Sequence, residues 1–153
     1  MTKQIPLTKG KFALVDDEDF DYFNQWKWSF DGGYAIRMSP KKTYLHRLVN
    51  KTPDELETDH KNMDKLDNRK CNLRSCSGSQ NQANKPYAQK NKKSSFRGVN
   101  WFKRDSNWQA QIGGKKNKKH IGYFKKEEDA AIAYNKAAIQ MYGEFAYLNN
   151  ISA

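Results

Sequence analysis

Residues 96–124 have the sequence FRGVNWFKRDSNWQAQIGGKKNKKHIGYF, in which three short runs rich in aromatic and β-branched residues alternate with polar segments. The runs are 96–102, 107–112 and 118–124, and the segments between them, KRDS and GGKKN, have the composition of turns. This spacing predicts three antiparallel strands that follow one another in a meander.

A helix is expected directly after the meander. Three acidic residues, 127–129, begin an Ala-rich segment that runs to Tyr142, and Gly143 follows it. Acidic side chains favour the positive end of a helix, and glycine favours the position just past its last turn. The residues that fall on one face at helical spacing are Ala130, Tyr134, Ala137, Ala138 and Met141. We therefore predict a C-terminal domain, residues 96–150, with a three-stranded antiparallel sheet packed on one α-helix.

The charge of the chain is concentrated in this second half. The full sequence has 28 Lys and Arg against 17 Asp and Glu, a formal charge of +11. Residues 1–84 hold 14 basic and 12 acidic side chains, whereas residues 85–153 hold 14 and 5. The second half should attract a polyanion with strongly salt-dependent affinity, although a merely solvated basic surface is the alternative. The polar, basic, proline-bearing segment 85–95 is predicted to be a linker.

Residues 1–84 have a mixed pattern of strands and helices. Residues 12–15 predict a short strand, and 16–24, with acids at its start, a short helix. Alternating apolar residues on both sides of Asp31-Gly32-Gly33 predict a β-hairpin. The apolar run 44–49 does not distinguish strand from helix, and 77–85 is expected to supply a short helix.

Several classes of protein are excluded by composition. With 153 residues, the chain has room for one or two small domains and none for a large multi-domain enzyme. No stretch approaches the roughly 20 apolar residues of a membrane span, and no apolar run follows Met1 to form a signal peptide. The two cysteines and three histidines lack the paired spacing of a zinc site. We therefore expect a cytoplasmic protein without membrane contact.

The segment 59–74, DHKNMDKLDNRKCNLR, is unusually polar for a small fold and begins with Asp59-His60. An adjacent Asp-His pair can hold a divalent metal with the carboxylate while the neutral imidazole deprotonates a water molecule. A third group must then fix the tautomer of the imidazole. Taken alone, the dipeptide is more typical of a surface turn.

The residues around this pair resemble the HNH nucleases, specifically the homing endonucleases of phages and introns. The motifs that carry the resemblance are Leu45-His46-Arg47, Asp59-His60, Leu66-Asp67-Asn68-Arg69, Asn72-Leu73-Arg74 and Gln80-Asn81-Gln82-Ala83-Asn84. The resemblance implies an α+β fold in which residues 1–84 form the nuclease domain, with a ββα-metal core at about 44–84. In it, a hairpin carries His60, a loop carries Asn72 and a helix presents Asn81.

The resemblance also implies roles for these residues. His60 would be the general base and Asn72 would hold its ring, while Asp59 and Asn81 would ligate one divalent ion. Oxygen ligands favour Mg²⁺ or Mn²⁺. The role of His46 stays open between a contact with DNA and a hydrogen bond within the hairpin core. Arg69 and Arg74 would contact phosphates, and for Arg69 the alternative is an ion pair with Asp67 or Asp64.

The C-terminal half resembles the APETALA/ethylene-response-factor DNA-binding domain. The motifs are Phe96-Arg97-Gly98-Val99, Trp108-Gln109-Ala110-Gln111-Ile112, Ile121-Gly122-Tyr123-Phe124, the helix from Glu127 to Ala138, and Leu148-Asn149. In that family the sheet enters the major groove of DNA and the helix supports it. The DNA-contacting residues that this implies are Arg97 on the first strand, Asn100, Trp101, Lys103, Arg104, Gln111, Lys118 and His120. For Trp101, a place in the core is the alternative.

The sequence thus predicts a site-specific, metal-dependent HNH endonuclease that nicks double-stranded DNA as a monomer, without a small-molecule cofactor. The second domain would select the target. If the protein is phage-encoded, it would act in the cytoplasm of the bacterial host. One alternative is a sequence-specific DNA-binding protein or regulator with an inactive HNH module. An RNA-binding protein is the other, and it would expose aromatic side chains for stacking on unpaired bases.

Overall fold

The computed structural model describes residues 1–85, 93–114 and 117–151. The chain divides into two compact units, residues 1–82 and 83–153. Both mix α-helices with small antiparallel sheets, as the predicted α+β class requires. Most of the predicted linker, residues 86–92, and the lysines at 115 and 116 lie outside the described residues.

The first unit contains three small sheets and three helices. In chain order its elements are β1 (Thr2–Pro6), β2 (Phe12–Asp16), α1 (Asp17–Asn24), β3 (Ser29–Asp31), β4 (Tyr34–Arg37), β5 (Thr43–Tyr44), α2 (Leu45–Val49), β6 (Glu57–His60), β7 (Leu73–Cys76) and α3 (Gly78–Ala83). Strand β1 pairs with β2, β4 lies between β3 and β5, and β6 pairs with β7, all antiparallel. The hairpin of β6 and β7, followed by α3, carries the polar segment.

Most of the elements predicted in this unit are confirmed. The strand from Phe12, the helix after it and the hairpin around Gly32-Gly33 are present. The ambiguous run 44–49 divides between β5 and α2. Strand β1 was not predicted, because its five residues TKQIP contain a single buried side chain, Ile5, and only pairing with β2 makes them a strand.

The core of the first unit anchors the polar loop between β6 and β7. Inward-facing residues of β1 and β2 pack on α1, α2 and the β3–β5 sheet; the buried side chains are Ile5, Leu7, Ala13, Val15, Phe23, Trp28, Ala35, Leu45, Val49 and Leu73. At the free edge of β2, the N–H of Leu14 donates to the carbonyl of Leu66, and the carbonyl of Leu14 accepts from Asn68 N–H, both at 2.8 Å. The loop is therefore fixed to the core by main-chain hydrogen bonds.

The second unit contains the predicted meander and helix. Its strands are β8 (Val99–Phe102), β9 (Asn107–Ile112) and β10 (Lys119–Phe124), with β9 in the centre, and helix α4 spans Glu127–Tyr142. The core consists of small and medium side chains: Val99, Ala110, Ile112, Ala130, Ala131, Tyr134 and Ala138. Met141, predicted on the same helical face, lies in the last turn of α4 and is 47% exposed. No helix in the described part of the chain is long and apolar enough to cross a bilayer.

Gly98 is required by the close approach of helix and sheet. Its φ is +74°, and a Cβ at this position would lie 2.1 Å from Cδ2 of Tyr134 and 2.6 Å from the carbonyl oxygen of Gln111. Only a residue without a side chain fits between the strand and the helix. The Gly98 carbonyl also accepts a hydrogen bond from Gln111 N–H, which starts the pairing of β8 with β9.

Candidate active site

His60 is the last residue of β6 and is 94% buried, with 6% of its surface exposed. Its ring centroid lies 5.1 Å from that of His46, edge to face, and 6.3 Å from that of Tyr34. Burial lowers the pKa of His60 below its usual value, and the hydrogen bond with Asn68 offsets part of this effect. The carboxylates that also oppose the decrease belong to Asp59, Asp64 and Asp67. The imidazole is therefore neutral at pH 7 and able to accept a proton.

Asn68 determines which nitrogen of His60 is basic. Its side-chain Nδ2 donates to the carbonyl of Leu66 at 3.0 Å, so its Oδ1 is the atom that faces His60 Nε2, at 3.4 Å. An amide oxygen only accepts, so Nε2 carries the ring proton and Nδ1 keeps its lone pair. Asn68 is completely buried and its backbone is bound to β2, which gives the imidazole a rigid support.

The loop that carries Asn68 is held together by Asp67 and Asn72. Arg69 pairs with Asp67 through both carboxylate oxygens, at 2.7 and 2.6 Å, and this pair lowers the pKa of Asp67. Asn72 donates from Nδ2 to the carbonyl of Asp67 at 2.8 Å and accepts from Asn62 N–H at 3.0 Å. Of the two alternatives for Arg69, the structure thus contains the pair with Asp67. The amide of Asn72 braces the loop, and its expected role at the His60 ring stays a prediction.

Asp59 lies on the opposite face of β6 from His60, because successive side chains of a strand alternate. Its carboxylate is 5% exposed and pairs with Arg74, the residue opposite it on β7. Nε and Nη2 of Arg74 lie 2.8 and 2.7 Å from the same oxygen, Asp59 Oδ2. Arg74 therefore occupies a position beside the candidate metal ligand.

Asn81 approaches this face of the hairpin from helix α3. Its Nδ2 donates to a carboxylate oxygen of Glu57, which shares a face of β6 with Asp59. The face thus presents the carboxylates of Asp59 and Glu57 and the amide of Asn81, all hard oxygen donors that suit Mg²⁺ or Mn²⁺. Within the described residues no three His, Cys, Asp or Glu side chains form a metal cluster. One or two protein oxygens are nevertheless the usual share for Mg²⁺, which takes its other ligands from water and phosphate.

His46 belongs to a cluster of rings behind His60. It is 7% exposed, with ring centroids 5.1 Å from Tyr34 and 5.4 Å from Tyr44. Burial, together with the neighbouring His60 and Arg47, lowers the pKa of His46 to about 3. Its buried Nδ1 has no hydrogen-bond partner among the described residues. Neither predicted alternative is thereby established: His46 is inside the unit, but packing and not a hydrogen bond holds its ring.

Comparison with known proteins shows the family of the chain. The chain is 31% identical over 150 residues to an uncharacterized HNH endonuclease of Acanthamoeba polyphaga mimivirus, and the match covers 94% of this chain and 77% of the relative. The chain belongs to the HNH endonuclease family. No protein-family model matches it, and no solved structure matches it significantly. The homing type, the phage origin and the APETALA/ethylene-response-factor domain stay predictions.

Two residues that contact the candidate site have no signal strong enough to single them out from the sequence. Asn68 belongs to one of the HNH motifs but carries no predicted role of its own, and Glu57 carries none either. Nothing in the local sequence distinguishes Asn68 from Asn62 or Asn72 in the same asparagine-rich loop. For Glu57 a signal existed, because it precedes Asp59 by two residues and therefore shares its strand face.

The second unit of this HNH family member presents a polar face on the side of its sheet away from α4. Gln111 pairs with His120 across β9 and β10, and Asn100 pairs with Gln109 across β8 and β9. The ring of Tyr123 lies on this face, 4.6 Å from His120. Lys103 and Arg104 are exposed in the turn after β8, where Arg104 pairs with Asp105 at 2.9 Å, and Lys118 is exposed just before β10.

Two predicted DNA contacts are placed elsewhere in this unit. Arg97 was predicted on the first strand, but β8 begins only at Val99. The guanidinium of Arg97 donates to the carbonyls of Ala83 and Lys85, both at 2.8 Å, so it fastens the chain that precedes the sheet. Trp101 pairs with Trp108 and contacts its ring edge to face at 5.0 Å, on the side of the sheet that faces α4. Trp101 is only partly buried there, so both its DNA contact and the alternative, a place in the core, stay predictions.

Proposed function

We propose that the protein is a metal-dependent endonuclease that hydrolyses phosphodiester bonds of double-stranded DNA and nicks one strand. The observation that carries the proposal is His60: a buried, neutral imidazole whose proton position is set by Asn68, one residue after the carboxylate of Asp59. Buried polar groups of this kind cost stability, and they are retained where they prepare chemistry. We assign the ββα-metal core to β6, β7 and α3.

In this mechanism His60 is the general base. Its Nδ1 takes a proton from the attacking water, while the Nε2 proton stays on the hydrogen bond to Asn68 and keeps the ring in one orientation. The imidazolium that forms is stabilised by the nearby carboxylates of Asp59, Asp64 and Asp67. These carboxylates would therefore lower the free energy needed to transfer a proton from the water to the His60 ring.

Asp59 and Asn81 would hold the divalent ion on the face of β6 opposite His60. When bound, such an ion supplies positive charge that neutralises the scissile phosphate and stabilises the leaving oxygen. Arg74, which pairs with Asp59, would contact a phosphate oxygen. Because a monomer has one such centre, it would cut one strand at a time.

The second unit would select the DNA. The polar face with Asn100, Gln111 and His120 is suited to hydrogen bonds with base edges in a major groove, which is wide enough for a β-sheet surface. The basic residues that would contact the backbone are Lys103, Arg104 and Lys118, all exposed. This division of roles separates chemistry in the first unit from recognition in the second.

The test is conversion of supercoiled DNA to nicked and linear forms with Mg²⁺, with Mn²⁺ or with EDTA. We expect metal-dependent nicking that His60→Ala reduces by at least about 100-fold, the usual contribution of a general base. Asp54→Ala, at a fully exposed carboxylate of the first unit that has no proposed role, is the control and should nick at the wild-type rate. Equal loss in both variants, or nicking that survives EDTA, would contradict the assignment of His60 and the metal.

One contact favours a second candidate, a DNA-binding protein without nuclease activity. Arg74 already neutralises Asp59, and a bound metal would have to compete with this pair. This candidate predicts no cleavage with either metal and a salt-sensitive shift of the same DNA in a gel. The two candidates are thus separated by one experiment.

A further inference from the structure

Glu57 contacts Asn81, one of the two proposed ligands of the divalent ion. It lies two residues before Asp59, so the two carboxylates share a face of β6. Its Oε2 accepts a hydrogen bond from Asn81 Nδ2, and a Cβ on Gly78 at the start of α3 would lie 3.3 Å from its Oε1. The carboxylate is thus seated against the beginning of the helix that carries Asn81.

The chemistry of this hydrogen bond fixes the orientation of the Asn81 amide. An ionised carboxylate only accepts hydrogen bonds, so the amide nitrogen and not the oxygen must face Glu57. The amide oxygen, which is the atom that can ligate a cation, is consequently turned away from Glu57. Without the carboxylate, the amide of Asn81 would be free to rotate by 180° and present its nitrogen instead.

We propose that Glu57 is a positioning residue that holds the oxygen of Asn81 ready to ligate the divalent ion. The proposal rests on the proposed function, in which Asp59 and Asn81 hold the metal. Groups that orient a metal ligand in this way typically change metal affinity by about 10- to 100-fold when they are removed. Glu57 thereby acts through Asn81 and not on the reacting atoms.

The experiment measures Mn²⁺ binding to the full chain by electron paramagnetic resonance, in the absence of DNA. We expect Glu57→Ala to weaken Mn²⁺ binding about 10- to 100-fold. Glu57→Gln should restore binding to within about threefold of wild type, because its amide oxygen accepts the same hydrogen bond from Asn81. Glu55→Ala, which removes an exposed carboxylate two residues away, should bind as wild type does.

A double-mutant cycle with Asn81→Ala sharpens the test. If Glu57 acts only by orienting Asn81, Glu57→Ala should weaken binding no further once Asn81 is alanine. Thermal unfolding in EDTA identifies any variant that fails to fold. If Glu57→Ala does not fold, the Mn²⁺ affinity of Glu57→Gln is compared with those of wild type and Asn81→Ala, and affinity near that of wild type supports the positioning role.

The possible outcomes separate the two proposals. If the wild type binds Mn²⁺ and Glu57→Ala binds it equally well, Glu57 has no positioning role and the proposed function stands. If Glu57→Gln is as weak as Glu57→Ala, the negative charge or direct ligation matters and positioning is overturned. If the wild type neither binds Mn²⁺ nor nicks DNA, the proposed function fails and the role of Glu57 fails with it.

Discussion

The two units of the chain bury different kinds of side chain. The buried polar residues of the first unit are His46, Thr58, Asp59, His60, Asp67, Asn68 and Asn72, whereas in the described part of the second unit they are Asn84 and Ser94. The second unit has a core of alanines and a few larger apolar residues, and its polar side chains lie on the open face of the sheet. Preorganised polar interiors suit chemistry, whereas exposed polar faces suit recognition.

The largest effect on stability is expected in the apolar unit. Gly98→Ala should lower the free energy of unfolding of the second unit by about 4 kcal/mol, because strain at positive φ adds to overpacking against Tyr134. Gly114→Ala is the control, since nothing lies within 4 Å of a Cβ there. Hydrogen exchange should accelerate at amides of β8–β10 and α4. Acceleration of the same size in β6 and β7 would contradict a local effect.

A polar substitution should affect the first unit almost as strongly. Asp67→Ala removes a buried carboxylate that accepts hydrogen bonds from Arg69 and from Asn62 Nδ2, which should cost about 3 kcal/mol. Urea unfolding measures the loss. Asp54→Ala, which removes a carboxylate that is fully exposed, should leave the unfolding midpoint unchanged. If both variants unfold alike, the Asp67 carboxylate does not stabilise the loop that carries Asn68.

The buried histidines should make the first unit sensitive to acid. His46 has a pKa of about 3 in the folded chain against 6.5 when unfolded, so between these values only the unfolded state binds the proton. The contribution of neutral His46 to stability is therefore fully present above pH 6.5. Below that value, the free energy of unfolding falls by up to about 1.4 kcal/mol per pH unit as the pH decreases toward 3. The depressed pKa of His60 acts in the same direction.

His46→Phe removes one of these two groups and keeps an aromatic ring. Between pH 7.5 and 4.5 it should lose about 2 kcal/mol less stability than wild type, measured by urea unfolding in EDTA. His120→Phe, at an exposed histidine of the second unit, is the control and should follow the wild-type curve. If His46→Phe has the same pH dependence as wild type, folding does not lower the pKa of His46.

The smallest effect is expected on the surface of the second unit. Lys118→Gln should reduce the slope of the logarithm of DNA affinity against the logarithm of salt concentration by about one, because one phosphate contact is lost. Lys27→Gln, an exposed lysine of the first unit, should leave the slope unchanged. Fluorescence anisotropy at several salt concentrations measures both slopes. A smaller slope for Lys27→Gln and an unchanged slope for Lys118→Gln would show that DNA binds mainly to the first unit.

Local sequence patterns determined the elements of the second unit. Residues 107–112 and 127–142 form the strand and helix that their alternation, acidic start and closing Gly143 indicate. In the first unit the order and spacing of five short motifs between Leu45 and Asn84 carried the resemblance to the HNH nucleases, the family to which the chain belongs. Both kinds of pattern depend only on the order and spacing of residues along the chain, so they can be recognised without knowing how the chain packs.

Tertiary structure alone decided which partners these residues have. Asn68 supports His60 because β2, more than 50 residues earlier, holds its backbone through Leu14. Arg74 pairs with Asp59 because the register of β6 with β7 places them opposite each other. Arg97 binds carbonyls that precede the sheet instead of lying on its open face. Such contacts join distant parts of the chain, and a pattern of residue types contains no information about which distant atoms meet.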